Sequence, residues 1–260
     1  MINKAQIIES TSTDPYLNLA VERFLLTTCE AGTIIMYLWQ NENTVVIGLN
    51  QNAFSECNLD EMKAENVRLA RRTTGGGAVF HDLGNLNFSF IIPRSLKSEG
   101  IPVELIMKSC RRLGIDATIT GRNDICAAGR KFSGNAFCQT KDMYLHHGTI
   151  LINADVDRMK KFLNVSKEKL ASKGVKSVSS RVINLKELLP DISIEAFRQG
   201  LRDSFSEKYK GLISRLDYDK IIKESQVQDL RFLYNSEEWM LHKVPDREES
   251  ESIITEWSTD

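Results

Sequence analysis

Arg71-Arg72-Thr73-Thr74-Gly75-Gly76-Gly77-Ala78-Val79-Phe80-His81-Asp82 is the stretch on which the reading of this chain turns. Three consecutive glycines between two β-like segments are costly in backbone entropy. Such a run lets the main chain approach a ligand and aim its N–H groups at an anion. The two arginines ahead of it add fixed charge suited to phosphate or carboxylate oxygens. The same triplet also fits a glycine-rich bulge or hairpin, so on its own it leaves both readings open. A P-loop is excluded because no Gly-Lys-[Ser/Thr] follows. A dinucleotide fingerprint is excluded because the GxGxxG spacing is missing and a strand, not a helix, comes next.

Working outward, the pattern predicts short strands in clusters. Thr33–Trp39 and Thr44–Ile47 flank a turn at Gln40–Asn43, and Val67–Ala70 precedes the arginines. Leu86–Ile92 alternates, with Leu86, Phe88, Phe90 and Ile92 on one face and Asn87 and Ser89 on the other. Ala117–Thr120 and Gly148–Asn153 are further strands. Before them stands a helix that Asp14 caps and Pro15 begins, with Leu17, Ala20, Val21, Phe24 and Leu25 as its apolar face and Gly32 as its end. Other helices are expected at Val103–Leu113, Asp155–Leu163, Ile194–Tyr209 and Val227–Tyr234. Clustered strands predict an α/β (α+β) fold, a mixed β-sheet flanked by helices, over a doubly wound parallel sheet.

The 260 residues carry 34 Lys and Arg against 35 Asp and Glu, a net charge of -1. That excludes a nucleic-acid binder driven by bulk positive charge. No apolar run reaches the length of a membrane span, and the N-terminus has no apolar signal core. Cys29, Cys57, Cys110, Cys126 and Cys138 are odd in number and form no CxxC pair, which argues for reduced thiols and a cytoplasmic location. The expected division is one catalytic domain over residues 1–245 and an acidic tail over 246–260.

Four further segments carry chemistry. Asp124, after Gly121-Arg122-Asn123, suits Mg²⁺ beside phosphates or a simple Asx turn. Lys131 lies among small residues in a strand pair, where an ammonium can reach an acyl carbonyl or phosphate, or simply face solvent. His146 and His147 are adjacent on a strand and so point to opposite faces, which disfavours their sharing one metal ion. Cys126 and Cys138 flank the Lys131 segment as a small core residue or as an acyl-accepting thiol. The basic run Lys173–Val182 suits an acidic partner or a solvated loop.

Taken together these pieces resemble the lipoate–protein ligase A family, within the wider biotin/lipoate ligase fold. The matching segments are Asp14–Ala20, Trp39 with Thr44–Gly48 and Gln51-Asn52, Arg71–Asn87, Gly121–Asp124, Lys131–Ala136, His146–Asn153 and Lys173–Asn184. They occur in family order over about residues 10–190. Thr74 stands where Ser is common, and the hydroxyl is kept. The Gly-Arg-Gly-Arg type of biotin-site run is absent.

The resemblance implies an enzyme that joins lipoate to ATP, holds lipoyl-AMP, and passes the lipoyl group to a lysine. The implied acceptors are apo lipoyl domains of 2-oxoacid dehydrogenase complexes and the glycine cleavage H protein. By family position Lys131 is the catalytic residue, bonding the acyl carbonyl and phosphate oxygens. Arg72, Thr74, Gly75, Gly76, Gly77, Val79, Phe80, His81, Asn85, Asp124, Ser133 and Ala136 are implied around the adenylate, with Asp124 holding Mg²⁺. Leu19, Val46, His147 and Gly148 are implied as walls of the lipoyl slot. Many members also carry a small C-terminal domain that this sequence does not resemble after Trp239. A monomer helped by a separately encoded small protein is therefore expected, or else a lipoyl- or octanoyltransferase that starts from an activated donor.

Overall fold

Asp14 caps the first helix as its position predicts: its side chain accepts the Tyr16 N–H, and Pro15 opens α1 (Pro15–Thr28). The computed structural model describes residues 2–120, 124–164 and 181–241. Helix α1 stops at Thr28 rather than at Gly32. Gly32 lies three residues past the cap, at φ +76, in the turn that leads into the next strand.

The strands are β1 (Lys4–Glu9), β2 (Thr33–Trp39), β3 (Thr44–Ile47), β4 (Arg68–Arg71), β5 (Val79–His81), β6 (Asn85–Pro93), β7 (Ala117–Thr120), β8 (Asp124–Ala127), β9 (Arg130–Gln139), β10 (Met143–Leu151) and β11 (Ile213–Arg215). Eight of them form one mixed sheet in the order β11-β1-β2-β6-β10-β9-β8-β7, and β4-β3-β5 form a second. β1 runs parallel to β2 and β11, whereas β2, β6, β10, β9 and β8 pair antiparallel in turn. The remaining helices are α2 (Ala53–Glu56), α3 (Leu59–Ala64), α4 (Ile101–Arg112), α5 (Val156–Phe162), α6 (Ile194–Lys208), α7 (Tyr218–Ile221), α8 (Ser225–Tyr234) and α9 (Glu237–Leu241). A mixed sheet flanked by helices is thus the observed class.

Both faces of the large sheet are covered. Leu86, Phe88, Phe90 and Ile92 of β6 enter a core with Leu105 and Ile106 of α4 and with Leu201 and Phe205 of α6. On the opposite face, Tyr37, Trp39 and Ile91 pack with Leu19, Val21 and Leu25 of α1 and Val227 of α8. A third cluster joins Val45, Ile47 and Phe80 of the small sheet to Phe162 of α5. The alternation read in β6 is correct, but Asn85, Asn87 and Ser89 on its polar face are as buried as the apolar face. Polar groups withdrawn from water in a central strand need partners or a ligand, and that requirement locates the site.

Among the described residues no helix is long and apolar enough to cross a membrane. The tail at 246–260, Gly121-Arg122-Asn123, and residues 173–180 of the basic run lie outside the described residues.

Candidate active site

A cavity of about 860 Å³ crosses the large sheet from β2 to β8, walled on its far side by Val46 and by the stretch from Gly76 to Val79. One end is buried and combines three apolar with three polar side chains. Leu19, Trp39, Val46, Asn87, His81 and His147 line it, and none is more than 5% exposed. The other end opens beside Asp124, Lys131, Thr120 and Arg181, where the Lys131 and Asp124 side chains are 30% and 27% exposed. A partly apolar pocket that ends in convergent charges suits a ligand with a hydrophobic tail and an anionic head.

Arg72 shapes the glycine segment from inside. Its Nε–H donates to Thr74 Oγ1 (3.0 Å), one terminal NH₂ to the carbonyls of Gly75 (2.8 Å) and Gly77 (2.9 Å), and the other to Val46 O (3.2 Å). Burial pulls its pKa down to about 10, so the guanidinium stays charged at neutral pH. Gly76 adopts φ +100, a conformation that glycine tolerates and β-branched residues do not. Gly48 packs so closely below it that a methyl there would collide with the Gly76 carbonyl oxygen.

Arg71 points the other way and is fully buried. It donates to five main-chain carbonyls: Gly48, Leu49 and Gln51 in the connection after β3, and Trp239 and Met240 of α9. The Trp239 indole N–H returns a bond to Arg71 O (2.9 Å). Of the two arginines, then, one clamps the glycine segment and the other ties the connection after β3 to α9.

At the open end Lys131 Nζ meets Asp124 Oδ1 at 2.7 Å, and Arg181 stands 4.0 Å from the same carboxylate. The strand register brings this about: Asp124 pairs with Gly134, and a bulge between Ile125 and Cys126 lets Cys126 face Lys131.

The three described histidines differ. His147 Nε2 meets Thr74 Oγ1, and its Nδ1 meets Glu22 Oε1, both at 2.8 Å. His146 points to the opposite face of β10, bonds Asn135 Oδ1 (2.7 Å), and is held by burial at a pKa of about 3. His81 is likewise lowered to about 3 by burial, and Asn41 Nδ2 lies 3.2 Å from its Nδ1. The opposite orientations of His146 and His147 follow the strand argument. Among the described residues no group of three or more His, Cys, Asp or Glu side chains gathers as a metal site.

Of the residues singled out in the sequence, Leu19, Val46, Arg72, Gly76, Gly77, Val79, His81, Asp124, Lys131, Ala136, His147 and Gly148 line the cavity. Five others stand behind the wall. Thr74 bonds His147 and Arg72, and Gly75 offers its carbonyl to Arg72. Asn85 bonds Asn87 (3.0 Å), and Ser133 is buried in β9. Phe80, expected at the adenine pocket, packs its side chain on Phe162 beneath Arg158 instead, because residues of β5 alternate and only Val79 and His81 face the cleft.

Sequence reasoning passed over Asn87, Trp39 as a wall, Arg181, and above all Glu22. Asn18 and Glu22 are buried polar residues one helical turn apart on the inner side of α1. That i, i+4 polar pair within an apolar stripe was the available signal.

The family model described as the lipoyl protein ligase A/B catalytic domain matches residues 14–206. A lipoate-protein ligase A of Psychrobacter cryohalolentis is 38% identical over 250 residues, spanning 94% of this chain and 74% of that protein. Two solved structures align over nearly their whole length. One is of a bi-partite lipoate protein ligase and its E2 lipoyl domain from Thermoplasma acidophilum, with TM-score 0.79 and 30% identity, covering 95% of this chain and 99% of that one. The other is a lipoate-protein ligase A bound with ATP, with TM-score 0.76 and 29% identity, covering 94% and 100%.

Proposed function

The chain belongs to the lipoyl protein ligase A/B catalytic-domain family, and from that premise we propose how its cleft performs lipoate–protein ligation. Lipoate and ATP are the substrates. The lipoate carboxylate attacks the α-phosphorus, the new C(O)–O–P bond forms, and pyrophosphate leaves. The ε-amine of an acceptor lysine then attacks the acyl carbon, an amide forms, and AMP departs.

The observation that carries this reading is that one cavity joins the buried apolar side chains of Leu19, Trp39 and Val46 to the partly exposed Lys131 and Asp124. Burying a lipoyl chain against Leu19, Trp39 and Val46 removes apolar surface from water and is favourable by about 25 cal/mol per Å². The carboxylate is then delivered to the charged end. Joining two anions requires positive charge around them, and Lys131 supplies it once a phosphate replaces Asp124 as its partner. The glycine segment, clamped by Arg72, offers its main chain to the nucleotide beside Val79. With AMP as leaving group, positioning of the acceptor amine outweighs a dedicated base.

Magnesium fits this site in a limited sense. Mg²⁺ keeps several waters and takes one or two carboxylates plus phosphate oxygens. Asp124 is the carboxylate that would hold it, and the ion would neutralise phosphate charge. The acceptors we propose are lipoyl domains of 2-oxoacid dehydrogenase complexes and the glycine cleavage H protein. The likeness to a protein solved as a bi-partite ligase with its E2 lipoyl domain supports the first, and supports a separately encoded small protein as helper. Action as a monomer in the cytoplasm belongs to the same proposal.

A thiol-dependent transferase is the less favoured reading. Burial pushes the Cys138 thiol up to about 12, the opposite of what a nucleophile needs. Incubation with ATP, lipoate and an apo lipoyl domain, with and without candidate helper proteins, should give a lipoylated acceptor by mass spectrometry. Absence of both adenylate and product under every condition defeats the proposal.

A further inference from the structure

Six side chains, of which Trp39, Arg72 and His147 line the cavity, form an unbroken hydrogen-bond chain. Trp39 Nε1–H donates to Ser89 Oγ (2.9 Å), and Ser89 donates to Glu22 Oε1. From the other side Arg72 Nε–H donates to Thr74 Oγ1 (3.0 Å), which meets His147 Nε2 (2.8 Å), and His147 Nδ1 meets Glu22 Oε1 (2.8 Å).

Both ends of the chain are donors. An indole N–H and a guanidinium N–H can only donate. Ser89 therefore accepts from Trp39 and spends its own hydrogen on Glu22. Thr74 Oγ1 accepts from Arg72 and is bonded to His147 Nε2, while His147 Nδ1 is bonded to Glu22. Both arms of the chain converge on one buried carboxylate. Glu22 is 2%, His147 5% and Thr74 1% exposed, so these bonds lie largely withdrawn from solvent.

The chain also joins the two halves of the cleft. Trp39 and His147 are buried walls of the cavity. Arg72, at the other terminus, holds the carbonyls of Gly75 and Gly77 and so sets the path of the glycine segment. A group packed against the His147 ring fixes Thr74, and Thr74 fixes the Arg72 plane.

We propose that Glu22, His147 and Thr74 are positioning residues that couple the acyl slot to the glycine segment, so that lipoate and nucleotide bind cooperatively. The inference rests on the ligase reading for the identity of the two ligands. The coupling itself requires no chemistry. Linkage makes it reciprocal: each ligand tightens the other by the same factor.

The test measures lipoate affinity by calorimetry with and without a non-hydrolysable ATP analogue. The wild-type chain should bind lipoate at least about 5-fold more tightly with the analogue present, the low end of ordinary coupling. Thr74→Ser keeps the hydroxyl and should keep the factor. Thr74→Val has nearly the same shape without the hydroxyl and should reduce it below about 2-fold; Thr74→Ala serves if the valine variant does not fold. A purely structural threonine would lower both affinities and leave their ratio alone. Wild-type coupling in the valine or alanine variant, or no coupling in the wild type, overturns the proposal. Cooperative binding without any ATP-dependent adenylate would instead sink the ligase reading and leave the coupling standing.

Discussion

Lys131 Nζ lies 2.7 Å from Asp124 Oδ1, so the ammonium proposed for the reacting anhydride has a carboxylate partner. Both groups are partly exposed, and a pair of that kind contributes at most about 1 kcal/mol. A polyphosphate can therefore displace Asp124 from Lys131 at little cost.

Lys131→Ala should lower adenylate formation by on the order of 10²–10³-fold, the usual consequence of removing one preorganised donor from a developing anion. Its unfolding temperature should stay within a few degrees of the wild type, because the side chain is partly solvated. Pyrophosphate release and thermal melts check the two halves separately. Rates near wild type would remove Lys131 from the mechanism.

Much of this arrangement was legible in the sequence, for identifiable reasons. β2 and β3 have the limits that their β-branched runs predicted, and the cap of α1 was a local signal. Strands β1 and β11, at one end of the large sheet, were not read, since Lys4–Glu9 and Ile213–Arg215 become strands through long-range parallel pairing. The same limit applied to the site. Arg72, Lys131 and His147 could be picked out by type, whereas Glu22 gains meaning only when β6 and β10 bring Ser89 and His147 to it. The side chain of Phe80 turns to Phe162, away from the cavity, because a family position says nothing of which way a strand residue faces.

Gly48→Ala should distort the nucleotide wall without emptying the core. The added methyl meets the Gly76 carbonyl and lies 3.3 Å from the Arg72 guanidinium, so the glycine segment must move. Steady-state kinetics should show a KM for ATP raised about 10-fold or more, the scale of a contact worth about 1.4 kcal/mol, with a smaller change in the lipoate term. A KM for ATP equal to the wild-type value would mean that the close approach of Gly48 and Gly76 has no bearing on nucleotide binding.

Arg71→Ala should destabilise the chain by on the order of 3 kcal/mol or more, since five main-chain carbonyls, three of them in fully buried bonds, lose their donor together. Arg71→Lys should recover less than half of this, because an ammonium on a flexible stem cannot present the same fork. Denaturant midpoints measure both. Equal stability of the alanine variant and the wild type would contradict the account of α9 as tied to the connection after β3.

Cys126→Ala and Cys138→Ala should retain full ATP-dependent lipoylation. Cys126 Sγ lies 3.0 Å from Thr120 Oγ1 in a strand pair, and the Cys138 thiol is held protonated by burial. Loss of acyl transfer in either variant, with adenylate formation intact, would revive a covalent route.

Acid should weaken the fold before carboxylates begin to titrate. His81 and His146 are buried neutral, with burial lowering both pKa values to about 3, against about 6.5 for an unfolded chain. Between these values the unfolded state binds protons that the folded state refuses, so stability falls as pH drops. The contribution is fully present above about pH 6.5 and is lost progressively toward about pH 3, at up to about 1.4 kcal/mol per pH unit for each histidine. Unfolding free energy measured from pH 7 to pH 5 should therefore decline steeply. His146→Phe, which removes one of the two groups in a contact shell that already includes Phe88 and Phe137, should roughly halve the histidine part of that slope. A pH profile unchanged by His146→Phe would show that this histidine is not kept neutral by the fold.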